Sequence, residues 1–262
     1  MLKSVELSTG RPVELRAEPA LAGRARGAYI VSDPDRSRHL IVYDPAKSDL
    51  LDHIVAHEIG HLEMYASARS DERIVAVLSE SGRRRARAAI EKEVTELGLD
   101  RNSSAVAWAV DAWIDGVARQ VSSFPADLLI ERRIWELHPS LRSRQRAALE
   151  TTATESHQAM EARVRDVTPP TVFLASNAMN YALLDVASRF LGAPWMLRPY
   201  RRGPIQSQGK ALLESFFQRG GDDLVSLSRV SKEWARQLGI SDWLDWRPVD
   251  DLGGASSLNT GD

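Results

Sequence analysis

The apolar and polar positions of the first 45 residues read as strands, and almost everywhere beyond them apolar residues recur at helical spacing. "VELRA" alternates, "AYIVS" and "HLIVY" are β-rich, and "DPDRSR" between the last two is turn material. The pattern predicts a hairpin from about Ala28 to Tyr43 within a small antiparallel sheet. After Asp44-Pro45 the period changes. A helix is expected from an N-cap at Ser48, with Asp49 and Asp52 in the first turn where the dipole favours anions, to about Ala66. Further helices are expected near 71–80, 84–97, 103–121, 126–137, 141–165, 171–191, 208–218 and 229–238, with Gly98, Gly192, Gly220 and Gly239 as stops. The fold class that follows is α+β and mainly α-helical: a small N-terminal antiparallel sheet packed on the first long helix, then a helical C-terminal region. The interruption "GAPWMLRPYRRGPIQSQG" suggests a domain over 1–192 and a helical appendage over 193–262, ending in the frayed tail "DDLGGASSLNTGD".

The most unusual helix is the first one. "DHIVAHEIGHLEMY", residues 52 to 65, holds three of the chain's six histidines. His57-Glu58-Ile59-Gly60-His61 is an H-E-x-x-H motif on a predicted helix. Residues four apart lie about 40° apart around a helix and one turn along it, so the two imidazoles can converge on one ion. Glu58 is rotated by about 100°, which lets its carboxylate reach a metal-bound water without being a ligand. The bland alternative is a core helix whose histidines make structural hydrogen bonds. Gly60 argues for something more, because mid-helix glycine costs about 1 kcal/mol against alanine. Close approach by another element, or room for a substrate, would justify it. His53, one turn earlier, reads as a hydrogen-bonding neighbour or a solvated first-turn residue rather than a ligand.

Composition narrows the chemistry. The chain has no cysteine, so any metal sits on nitrogen and oxygen ligands. Its 262 residues, 43% hydrophobic and 27% charged, are those of an ordinary globular protein. A net charge of −2 gives no general attraction to nucleic acid or membrane. "MLKSVELSTG" lacks the apolar core of a secretion signal, and the uncharged run Val167 to Leu184 reads as a buried helix with a proline entry. The expected location is cytoplasmic.

Two histidines do not complete a catalytic site, which usually takes three protein ligands. Met64 and Ser67 stand where a metzincin continuation needs glycine and histidine, so an acid from another helix is expected. "FPADLLIERRIWELHP", 124 to 139, is the strongest donor. At about 100° per residue, Asp127 and Glu131 fall in the middle of an arc formed by Leu128, Ile130, Ile134, Trp135 and Leu137. Buried carboxylates are costly unless paired or bound to metal. The expectation is Glu131 as third ligand, with Asp127 orienting a histidine ring. Asp111 or Asp115, on "AVAWAVDAWIDGVARQ", and Glu93 remain rivals, each with an ion pair as its plainer role.

"AHEIGHLE" after a strand resembles the zincin metallopeptidases, and an acidic third ligand on a later helix resembles the gluzincins. Small size without membrane spans is similar to the soluble ImmA/IrrE-like group. The resemblance covers about residues 28 to 66, with Glu131 carried over more loosely. It implies a zinc-dependent peptidase acting on a peptide or protein substrate, with Glu58 as general base and then acid. It also implies that "HLIVY" forms the cleft edge and accepts substrate as an added strand. The competing class is a regulatory or binding protein that keeps the zinc fold with little turnover, and meets a partner protein through its C-terminal helices. Peptide hydrolysis also needs an oxyanion donor, for which Tyr181 and His157 are candidates, with Asn177 and Asn180 beside Tyr181. "GRRRARAA", 82 to 89, reads as a solvated face, and Trp234, Trp243 and Trp246 as packing or a partner surface.

Overall fold

The computed structural model describes residues 1–21, 27–30, 37–201 and 203–248. Most of the expected turn at 33–38 lies outside the described residues, and the tail from 250 lies wholly outside them. The architecture is α+β and mainly helical, as the periodicity implies. Nine α-helices and five strands occur among the described residues. In chain order they are α1 (Leu2–Thr9), β1 (Val13–Ala17), β2 (Gly27–Ile30), β3 (His39–Tyr43), α2 (Leu51–Ser67), β4 (Ile74–Val77) and α3 (Glu80–Glu96). They continue with α4 (Ser104–Leu137), α5 (Arg142–Ala159), α6 (Ala162–Arg165), α7 (Pro170–Leu191), α8 (Pro204–Arg219), α9 (Leu224–Gln237) and β5 (Asp245–Pro248).

The N-terminal sheet has the order β1-β3-β2. The expected hairpin is present, with Ala28 opposite Val42 and Ile30 opposite Leu40. However, β1 runs parallel to β3, so the sheet is mixed rather than antiparallel. The chain also opens on α1, which buries Val5 and ends at Gly10 in the left-handed conformation, within the segment expected to be strand. A single buried apolar residue in that short helix leaves little periodicity to read.

Helix α2 is buried almost all round. Ile41, Val55, Ile59 and Leu62 join it to the sheet and to Val5 of α1, while Ala56 and Met64 meet Ala126, Ile130 and Ile134 of α4 and Leu227 of α9. It enters from a 3-10 turn over Pro45–Leu50, capped by Asp44, whose side chain accepts from the Ala46 N–H. Ser48 lies inside that turn and is not the helix cap.

The central support is α4, a single 34-residue helix where two were expected. It runs through Pro125, which has no N–H to donate to the preceding turn. Pro125 is buried and the helix has neighbours on several sides (α2, α3, α5, α7 and α9), so packing outweighs the lost bond. The 71–80 segment is also different: it forms β4 instead of a helix, paired antiparallel with β5 from near the C-terminus.

No boundary at residue 192 appears in the packing. One apolar cluster joins Ile90 and Ile114 from the earlier part to Leu212, Trp234 and Trp243 from the later part. The segment after 192 therefore completes the main core and is not a separate appendage. Trp234 and Trp243 are buried there, and Trp246 is partly buried with the Lys232 amine over its ring, so all three are packing residues. Among the described residues no helix is long and apolar enough to cross a membrane.

Candidate metal centre

The site forms where α2 and α4 cross. His53, His57 and His61 succeed one another by one turn each along α2, and Asp127 and Glu131 do the same on α4. Glu131 faces the earlier pair of histidines and Asp127 the later pair, so the helices run in opposite directions through the contact. Gly60 permits the approach: a Cβ there would lie 2.8 Å from Ile130 Cγ2 on α4.

Three donor atoms face one another. His57 Nε2 and His61 Nε2 are 3.2 Å apart, and Asp127 Oδ1 is 2.9 Å from His61 Nε2 and 3.5 Å from His57 Nε2. All three residues are buried. Tetrahedral bonds of about 2.0–2.1 Å would place neighbouring donors about 3.3 Å apart, close to the spacing observed. His57 Nδ1 lies 2.8 Å from Glu131 Oε1 and donates there, so that loss of the other ring proton would turn a lone pair on Nε2 towards its neighbours. Asp127 Oδ1 has no directed hydrogen bond. Converging lone pairs and a carboxylate oxygen in a buried pocket require a cation or an extra proton. His57, His61 and Asp127 can therefore hold a metal ion.

The two acids stand in exchanged places relative to the sequence expectation. Asp127 supplies the third converging atom, and Glu131 orients His57. Glu131 is fully engaged: both oxygens lie 3.0 Å from His53 Nε2, and Gln145 Nε2 on α5 donates to its Oε2 at 2.6 Å. Of the two roles expected for His53, it takes that of a buried hydrogen-bonding neighbour and not that of a solvated residue. Gln145 was invisible beforehand, since a buried glutamine on an otherwise polar helix carries no metal signature.

Protonation follows from this arrangement. Burial opposes charge on His57, but the carboxylates of Asp127 and Glu131 outweigh it and hold the pKa well above the ordinary histidine range. Burial prevails at His61, whose pKa is lowered although Asp127 opposes the change. For both acids burial is outweighed by the facing imidazoles, and their pKa values fall: His57 and His61 act on Asp127, His53 and His57 on Glu131. Glu58 is the exception. Only 2% exposed, with no hydrogen-bond partner at Oε2, it is pushed up to about 8 by burial, with His57 opposing and Asp127 adding.

The rival ligands have structural employment. Asp111 and Asp115 pair with Arg87 and Arg83 of α3, and Glu93 accepts from the Thr171 N–H and hydroxyl at the start of α7. The same pairs occupy much of the basic cluster at 82–89, with Arg85 bridged to Asp245. The oxyanion candidates also lie elsewhere. His157 Nε2 donates to the Met196 carbonyl, and Tyr181 packs edge-on to Tyr200 with its hydroxyl on Asp185. Asn177 donates to the Phe173 carbonyl, and Asn180 accepts from Gln120. Among the described residues, their hydrogen bonds and ring contacts all go to groups outside the histidine cluster. Finally, β3 is the middle strand, paired on both sides, and offers no edge for an added strand.

No protein-family model, curated protein or solved structure matches the chain.

Proposed function

We propose that the protein is a zinc-dependent peptidase, with the ion held by His57, His61 and Asp127. The observation that carries this reading is Glu58: a buried carboxylate with an unpartnered oxygen, inside an H-E-x-x-H helix, beside three converging donor atoms. A structural histidine cluster has no use for such a group, whose burial without a partner is costly. Zinc suits an all-nitrogen-and-oxygen site and, when bound, supplies Lewis-acid polarisation and acidifies water at neutral pH.

The chain's own residues then have separate tasks. Glu131 fixes the ring of His57 through Nδ1, and His53 and Gln145 hold Glu131 in place. Glu58 takes a proton from the attacking water and returns it to the leaving amine. Its raised pKa suits both halves, because the group gains and loses a proton near neutral pH; a bound cation would draw that value down. An extended substrate would add to β2 or β1, the outer strands, and β2 packs along α2.

Glu58→Gln tests the assignment. Cleavage of a peptide library should fall by about 10²–10⁴-fold while zinc content stays at the wild-type level. Undiminished cleavage in that variant, or none by zinc-loaded wild type, would defeat it.

A further inference from the structure

A cavity of about 240 Å³ opens beside the metal centre and is not used by the chemistry above. His61 and Met64 of α2, Arg119 and Ala126 of α4, and Leu227 and Ser231 of α9 line it. It thus shares His61 with the donor cluster and reaches the residue preceding Asp127. The volume exceeds the roughly 150 Å³ that accommodates benzene, and falls below the roughly 300–1,000 Å³ of whole-ligand pockets. That is room for one residue of a longer molecule.

Its charge is one-sided. Asp115 also lines the cavity, but its carboxylate is bound by Arg83 at 2.6 Å. Arg119, exposed at the wall, is the one lining cation, and no carboxylate pairs with it among the described residues. Ser122 and Ser231 line the same space and their hydroxyls make no bond to a described protein group. An apolar chamber with a free guanidinium and free hydroxyls is complementary to a short aliphatic or aromatic body ending in an anion.

We propose that this cavity selects the substrate residue next to the scissile bond, taking one that ends in a carboxylate held by Arg119. The proposal rests on the peptidase reading for the words "scissile bond", while the pocket's binding preference stands by itself. Two sources share the chemistry: an internal acidic side chain, or the α-carboxylate of a C-terminal residue.

Calorimetry on zinc-loaded Glu58→Gln protein, which keeps peptides intact, tests this with acetylated alanine pentapeptides bearing one glutamate, glutamine or lysine. Each is made as free acid and as C-terminal amide. The expected result is binding of the carboxylate form about five- to tenfold tighter than its neutral counterpart, a charge-assisted contact discounted for solvent exposure. A preference for glutamate that survives amidation identifies the side chain, and a preference lost on amidation identifies the terminus. Adding Arg119→Gln should erase the difference, and adding Arg119→Glu should favour lysine. A preference unchanged by Arg119→Gln, or absent from the parent protein, overturns the proposal. Arg119-dependent binding without cleavage by the Glu58-bearing protein would reject the peptidase and keep the pocket. Cleavage insensitive to Arg119 would do the reverse.

Discussion

At the scale of single residues, the site is a problem of too many groups wanting the same protons. His57 carries a raised pKa, so in the metal-free protein it binds a proton more tightly than in the unfolded chain. A metal must displace that proton, and affinity should therefore fall as pH drops through the raised His57 range. Titrating zinc at several pH values, with proton release followed in weak buffer, checks this. Glu58 gives a second sign. Its folded pKa of about 8 exceeds the ordinary 4.5, so its contribution is fully present below 4.5 and is lost as pH rises through 8. Metal-free Glu58→Gln should accordingly melt higher than metal-free wild type at pH 9, by the equivalent of a few kcal/mol at most, and similarly to it near pH 4. Equal melting at both values would mean that Glu58 is solvated. Much of this site was legible beforehand. The motif located His57, Glu58 and His61, and helical phase singled out Asp127 and Glu131 as acids in an apolar arc. Which of the two acids meets Nε2 was not legible, because phase says nothing about the direction in which one helix crosses another.

At the scale of elements, the crossing of α2 and α4 sets that direction, and Gly60 sets its closeness. Gly60→Ala would gain up to about 1 kcal/mol in helix propensity. It would also press a methyl to within 2.8 Å of Ile130 Cγ2, a branch carbon that cannot swing away. Overpacking of this kind costs about 1–3 kcal/mol, so the variant should be less stable and bind zinc more weakly. In an Ile130→Ala background the same change should be neutral or stabilising, and a double-mutant cycle by denaturant unfolding reads the coupling. From the sequence the mid-helix glycine left close approach and substrate room both open, and the Ile130 contact answers to the first. Strand order was less accessible. "HLIVY" is apolar enough for an edge or a centre, and its buried residues Ile41 and Val42 reflect the central position between β1 and β2. Leu137 gives the opposite case: it belongs to the apolar arc by phase, yet is 68% exposed because α4 ends there.

At the scale of the whole molecule, distant parts of the chain are tied together. Ile74–Val77 pairs with Asp245–Pro248, and the cluster around Trp234 and Trp243 continues the core begun by Ile90 and Ile114. Four-residue strands so far apart carry no mutual signal in a single sequence, which is why 71–80 looked helical. A chain stopped at 192 would leave that core open, and should lose cooperative thermal unfolding where the full chain melts as one unit. A metal ion bound by His57, His61 and Asp127 would add to the same economy of contacts, since those donors come from residues about seventy positions apart and the ion would stabilise only the folded arrangement.

The most direct test is zinc titration of the wild-type, Asp127→Ala and Glu131→Ala proteins, reading stoichiometry, affinity and the metal-linked rise in melting temperature together. One zinc per wild-type chain is expected. Asp127→Ala should lose tight binding and the thermal shift. Glu131→Ala should keep one zinc at an affinity weakened about 10–100-fold. Wild-type affinity in Asp127→Ala, with binding abolished in Glu131→Ala, would contradict Asp127 as the third ligand.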